Sequence, residues 1–204
     1  MKYIDFQKQF KNYPIINTRD IKNVDPDFDN RRLYEWQKSG YIQKVINNFY
    51  VFIDRDFLDA ENNFIANRLI EPSYLSLEYA LNHYSLIPEV VFWRTSITSK
   101  KTKRFSTLIG NFSYQKIKKK LFFGYKIVEF NKIAYKIAEP EKAILDFLYL
   151  RKDLETNDDF YELRINEEIY KEIINQKKLK NYLKVFNSKK LSKRVKGLND
   201  FLIK

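Results

Sequence analysis

Asn30, Arg31, Arg32, Tyr34, Gln37 and Lys38 fall within nine residues, and they are the side chains here best suited to chemistry. At helical spacing Asn30, Arg31, Tyr34, Gln37 and Lys38 share one face, Arg32 flanks it, and Leu33 and Trp36 take the other side. A guanidinium matches the O6 and N7 acceptors of guanine, and Asn or Gln matches the adenine edge. Asn30, Arg31 and Gln37 are therefore the expected base readers. Tyr34, Lys38 and Lys44 suit phosphate oxygens, contacts that position a protein on a duplex without reading its sequence. The chemistry predicted is recognition of double-stranded operator DNA.

Bond-making chemistry has less behind it. His83 is the only histidine, and a triad or metal centre needs a second positioned group that no pattern supplies. Asp25, Asp27 and Asp29 alternate like the opening of a calcium loop, but Asn30 replaces the turn glycine and Trp36 stands where the bidentate Glu belongs. Glu139 and Glu141 flank Pro140, where acids suit a helix start, and Asp146 has no evident partner. Glycine occurs only at 40, 110, 124 and 197, so there is no glycine-rich phosphate cradle. The expectation is a non-enzyme with no catalytic residues, no metal and no cofactor. The enzyme alternative is a metal-dependent nuclease using the Glu139–Asp146 carboxylates.

Charge is unevenly spread. Of the net +12, residues 1–55 carry only +3, whereas 94–126 carry +10 and 171–204 carry +9. The segments 56–93 and 127–170 are each at −5. Lys100, Lys101, Lys103 and Arg104, then Lys118, Lys119 and Lys120, then Lys189, Lys190, Lys193 and Arg194 are predicted to flank a shared basic face for DNA phosphates or an acidic partner. Phe105, Phe112 and Tyr114, interleaved with the first block, are expected to alternate into a sheet core beneath the lysines.

The elements that must position these groups follow from pattern. Phe6 and Phe10 mark a first helix; Asn17 or Thr18 caps a second with Ile21 and Val24 inward. Pro26 and its acidic neighbours open a third, carrying Phe28, Leu33 and Trp36 and ending at Gly40. Runs 41–45 and 49–53 about Asn47-Asn48 form a hairpin. Three helices and a hairpin in this order predict a winged helix-turn-helix over 1–56, whose third helix enters the major groove. Residues 57–71 are expected to be a connecting helix, from Asn62 to Leu69 with Phe64 and Leu69 inward. Residues 72–204 are expected to form a mixed α/β domain with an antiparallel-type sheet and terminal helices, α+β in class. Ser76 is the expected N-cap of a short helix with Tyr79, Ala80 and Leu81 inward. Strands are expected over 91–98, 105–117, 125–130 and 133–138. A helix from 139 to 150 buries a stripe of Ala143, Ile144, Phe147, Leu148 and Leu150, and two more run over 179–186 and 191–202, the last interrupted by Gly197. Aromatics at 17% exclude a disordered chain, and no apolar run reaches the roughly 18 residues of a membrane span, so no membrane partner and a cytoplasmic location are expected.

Pro72 to Leu81 (PSYLSLEYAL), with His83 and Leu86-Ile87-Pro88, resembles a segment of the AbiEi-type antitoxins, the repressor and antitoxin halves of type IV abortive-infection toxin–antitoxin operons. Thr98, Thr102, Arg104, Phe105, Phe123-Gly124 and the run Ile137 to Asp146 (IAEPEKAILD) resemble that family in the same order, as do Arg32-Leu33 and Gly40. The resemblance spans nearly the whole chain. It departs at Asn47-Asn48-Phe49-Tyr50, where the family often has a basic residue and glycine before its tyrosine. It implies a protein that autoregulates its operon through the first domain. Through the second it would counteract a co-encoded nucleotidyltransferase-type toxin, with or without a stable complex. The other binding-class reading is a stand-alone winged-helix regulator whose second domain senses a ligand or oligomerises.

Overall fold

Phe6 and Phe10, one helical turn apart, begin the first core. In the computed structural model, which describes residues 1–203, both are buried on the inner side of α1 (Tyr3–Phe10). Asn17 caps α2 (Thr18–Val24), its side chain accepting from the Arg19 N–H at 2.8 Å. Immediately before it lies β1 (Ile16–Asn17), a two-residue strand that sequence periodicity is too short to reveal. After α3 (Arg31–Lys38), Gly40 at φ 73° turns the chain into β2 (Ile42–Ile46) and β3 (Phe49–Phe52). Asn48, at φ 68°, closes the hairpin. These strands form an antiparallel sheet in the order β1-β3-β2. Ile21, Phe28, Leu33, Trp36 and Ile42 complete the small core.

Two local expectations fail for stated reasons. Val24 is 47% exposed, because α2 ends there and the chain leaves in extended conformation at Asp25. The third helix starts at Arg31 rather than near Pro26. Residues 25–30 form turns, and the Asp29 carboxylate accepts the Arg31 backbone N–H at 2.9 Å, while Asn30 makes no capping bond. The acids satisfy a helix start, but one turn later than expected.

The second, larger unit starts with α4 (Asp59–Leu69), three residues longer than expected at its N-terminal end. Ile65, Ala66 and Leu69 join the larger core; Phe64 is only partly buried. Next come β4 (Ser73–Leu75), α5 (Leu77–His83), β5 (Trp93–Thr98), β6 (Lys103–Thr107), β7 (Gly110–Lys116), β8 (Tyr125–Phe130) and β9 (Ile133–Ala138). The sheet order is β6-β7-β5-β4-β9-β8. It is mixed, not antiparallel: β5 runs parallel to β7, and β4 to β9. The hairpins β6–β7 and β8–β9 are antiparallel. Each inserts its second strand beside an earlier one, a non-local pairing that local patterning cannot specify.

Side chains alternate across this sheet. Tyr114 reaches one face, where its hydroxyl donates to the Ala66 carbonyl of α4 at 2.6 Å. Tyr74 reaches the other, towards α6 (Pro140–Leu150). Helices α7 (Asn157–Glu162), α8 (Glu167–Ile173), α9 (Gln176–Phe186) and α10 (Lys189–Leu202) complete the chain. Instead of an apolar stripe, α6 buries eight consecutive residues, 141 to 148, because sheet lies beneath it and α9 and α10 lie against it. Helix α10 runs unbroken through Gly197.

Candidate nucleic-acid interface

Helix α3 turns Leu33 and Trp36 into the small core, which forces the intervening residues outward. Asn30, Arg31, Arg32 and Lys38 are exposed, as is Tyr34 at 71%. Gln37 differs: it is half-buried, and its Nε2 donates back to the Leu33 carbonyl at 3.0 Å, so this amide is engaged within its own helix. Arg31 is also engaged, its Nε donating to Asp29 at 2.8 Å. That hydrogen bond holds the Asp29 carboxyl below its usual range. The Arg31 side chain is 88% exposed, so the pair is weak and available for exchange with another anion. Lys44 is exposed on β2, opposite Tyr50.

The second unit gathers lysines from distant segments. Lys100 and Lys101 sit between β5 and β6, and Lys103 and Arg104 lie on the edge strand β6. The Arg104 guanidinium lies over the Trp93 ring, 5.7 Å from its centre. Lys118, Lys119 and Lys120 are exposed about a short 3-10 turn, and Lys189, Lys190 and Lys193 are exposed on α10. Lys116 and Lys118 share a cleft of about 550 Å³ with Lys152 and Lys190, so the two basic blocks meet in space.

Arg194 does not belong to that exposed face. It is 7% exposed and donates to the carbonyls of Leu154 at 3.1 Å and Lys152 at 2.9 Å. It satisfies backbone oxygens left open beyond the end of α6, a structural use of a guanidinium.

The carboxylates around α6 are each engaged within the protein, and Glu139 and Glu141 share Lys178. Glu139 accepts from the Tyr182 hydroxyl and pairs with Lys178 at 2.9 Å. Burial alone would raise its pKa, but the hydroxyl and the ammonium outweigh burial and hold the carboxyl below its usual range. Glu141 accepts the Asn175 N–H at 3.0 Å. Asp146 is fully buried and accepts from Tyr74 and Ser76, each at 2.9 Å, and from Lys142. Ser76 stands at the N-cap of α5, yet its hydroxyl serves Asp146 instead of the helix.

Lys142, equally buried, is the residue that sequence reasoning missed. Its ammonium lies 5.3, 5.2 and 5.1 Å from the ring centres of Tyr74, Phe123 and Phe186. Burial pushes Lys142 down and Asp146 up, and each offsets the shift of the other. Gly124 at φ 71° lets the chain pass close, since a Cβ there would lie 3.1 Å from Lys142 Cγ. Two opposite charges four apart, set among Ala143, Ile144, Leu145, Phe147 and Leu148, were the available signal.

His83 is exposed at the end of α5, its ring edge-on to Tyr84 at 5.1 Å. Among the described residues no three His, Cys, Asp or Glu side chains are grouped to hold a metal ion, and no helix is long and apolar enough to cross a membrane. No family model matches the chain, and no curated protein matches its sequence.

Proposed function

We propose that this protein is a transcriptional repressor and antitoxin of the type IV toxin–antitoxin class. Its N-terminal unit is read as a winged helix-turn-helix that places α3 in the major groove of operator DNA, with the β2–β3 hairpin as the wing on the adjacent backbone. The observation that carries the DNA-binding half is the exposed polar face of α3, with Arg32, Tyr34 and Lys38 unburied and Arg31 held only by an exposed carboxylate. The antitoxin half rests on the resemblance carried by residues 72–81 and 137–146, and its expected counterpart is a co-encoded nucleotidyltransferase-type toxin. The buried Lys142–Asp146 pair gives two charged positions of that second segment a structural role. The lysine cleft supplies a further surface of the right sign for phosphate.

Binding of labelled duplexes tests the first half. DNA from upstream of the protein's own reading frame should bind on the order of a thousandfold tighter than scrambled duplex at physiological salt. Arg32→Ala should narrow that gap, and Lys118→Glu with Lys119→Glu and Lys120→Glu should weaken both duplexes alike. Equal affinity for upstream and scrambled DNA would remove the repressor reading. Growth on co-expression with the neighbouring gene tests the second half: the toxin should arrest growth alone and not beside this protein.

A further inference from the structure

We propose that the uncovered part of the larger sheet is a docking groove for a cationic amphipathic segment of a partner protein. On the face that packs against α6, the helical layer stops short of the β5–β7–β6 side, leaving a cleft of about 850 Å³. Its floor is Trp93, Thr95, Ser113 and Gln115, alternate side chains on one face of β5 and β7, with Thr95 paired to Ser113. Phe147 and Leu150 of α6 wall one side, and Leu163, just beyond α7, walls another.

Two observations say what covers it. The first is apolar exposure at the rim, where Val90 is 76% and Phe92 77% exposed. Large apolar side chains held in water beside a cleft mark an interaction surface. The second is charge. Glu78, Glu89, Asp153, Asp159 and Glu162 line the cleft against two arginines, and one of these, Arg151, is already paired with Asp153 at 2.8 Å. Glu78 and Glu162 make no ion pair among the described residues. A locally acidic, apolar-floored groove on a chain of net +12 repels phosphate and attracts lysine or arginine. The basic face reaches the groove only at its edge, through Arg104 over the Trp93 ring. A helix laying an apolar stripe over Trp93 and Phe92, with lysines towards Glu78 and Glu162, satisfies both features. The inference stands independently of the DNA-binding reading.

The test uses the full chain and two synthetic helical peptides, one of leucine and lysine, the other with glutamate replacing each lysine. Calorimetry should show the lysine peptide binding at least about tenfold tighter than its acidic counterpart, with a change in Trp93 emission. Glu78→Gln with Glu162→Gln, and separately Phe92→Ser, should each weaken it by about tenfold while duplex DNA binding stays unchanged. Because Phe92 and Glu162 are exposed, thermal melting should match the parent; should Phe92→Ser shift it, the charge variant decides alone. Equal binding of the two peptides, no binding, or binding indifferent to the variants overturns the proposal. Sedimentation gives a further overturning result: if the parent self-associates and Phe92→Ser makes it monomeric, the occupant is a second copy of the chain.

Discussion

At the scale of single residues, the centre of the larger unit is a salt bridge where an apolar core would be expected. Lys142 and Asp146 are both fully buried, and Tyr74 and Ser76 occupy the remaining capacity of the carboxylate. Breaking a buried pair leaves an uncompensated charge, so Asp146→Ala should cost about 3–5 kcal/mol in urea unfolding. The double variant Lys142→Met/Asp146→Asn should cost less than the sum of its single changes, because the two losses share one interaction. Glu139 gives a pH-dependent prediction. Its folded pKa is depressed, so its contribution is present above the unfolded value of about 4.3 and is lost as pH falls through the folded value. Tyr182→Phe removes one cause of the depression. Its melting deficit relative to the parent should be seen at neutral pH and should shrink as acid protonates Glu139 in both proteins. The helical repeat made Ala143, Ile144 and Phe147 legible as buried. It could not show that Lys142, Asp146 and Arg194 go inside as well, because their partners Tyr74, Ser76 and the Leu154 carbonyl lie far away in sequence.

At the scale of elements, capping and close approach explain where local reading succeeded and where it slipped. Asn17 and Gly40 bound their helices as expected, and Asn48 closes its hairpin, because each obeys a purely local geometry. The start of α3 slipped since Asp29, not Pro26, meets its first free N–H group. The same carboxylate occupies Arg31, so Asp29→Ala should release a guanidinium and remove a negative charge from the proposed groove-facing surface. Duplex affinity should rise in anisotropy titrations, most at low salt. Gly197 slipped for a tertiary reason. In sequence it reads as an interruption, whereas in α10 it admits the Phe160 ring, and an added Cβ would come within 2.9 Å of Phe160 Cε2. Gly197→Ala gains roughly 1 kcal/mol of helix propensity. Overpacking against a buried ring costs about 1–3 kcal/mol. Chemical denaturation should therefore show Gly197→Ala no more stable than the parent, with the propensity gain emerging when Phe160→Leu is added.

For the whole molecule, the question is how far the two cores are separable. Local patterning revealed most strands of the large sheet but not their order, since β5 beside β7 and β4 beside β9 are joined by sequence-distant pairing. Nor did it show that α4, which reads as a connector, is part of the larger core through Ile65, Ala66 and Leu69. The small core from Phe6 to Tyr50 closes without any residue of α4. Among the described residues, Ile15 and Val51 of the first unit are buried in the larger core, and Val45, Ile46 and Phe49 pack partly buried against it. The seam is tied by Arg55, which pairs with Glu61 of α4, and by Arg68 of α4 with Asp20 at 3.4 Å. A fragment of residues 1–71 would carry α4 with its apolar face stripped of β4, β5 and β9. A fragment of residues 1–56 uncovers Ile15 and Val51 fully and Val45, Ile46 and Phe49 in part, and carries no unpartnered helix. The shorter fragment should therefore be the better behaved of the two, monomeric in sedimentation and cooperative in melting, whereas the longer one should self-associate and bind an apolar dye. If α3 alone carries duplex recognition, residues 1–56 should keep the preference for upstream DNA with a shallower salt dependence, because the lysine cleft is gone. A fragment with the full salt slope of the parent would place every phosphate contact in the first unit and leave the lysine face without a part in DNA binding.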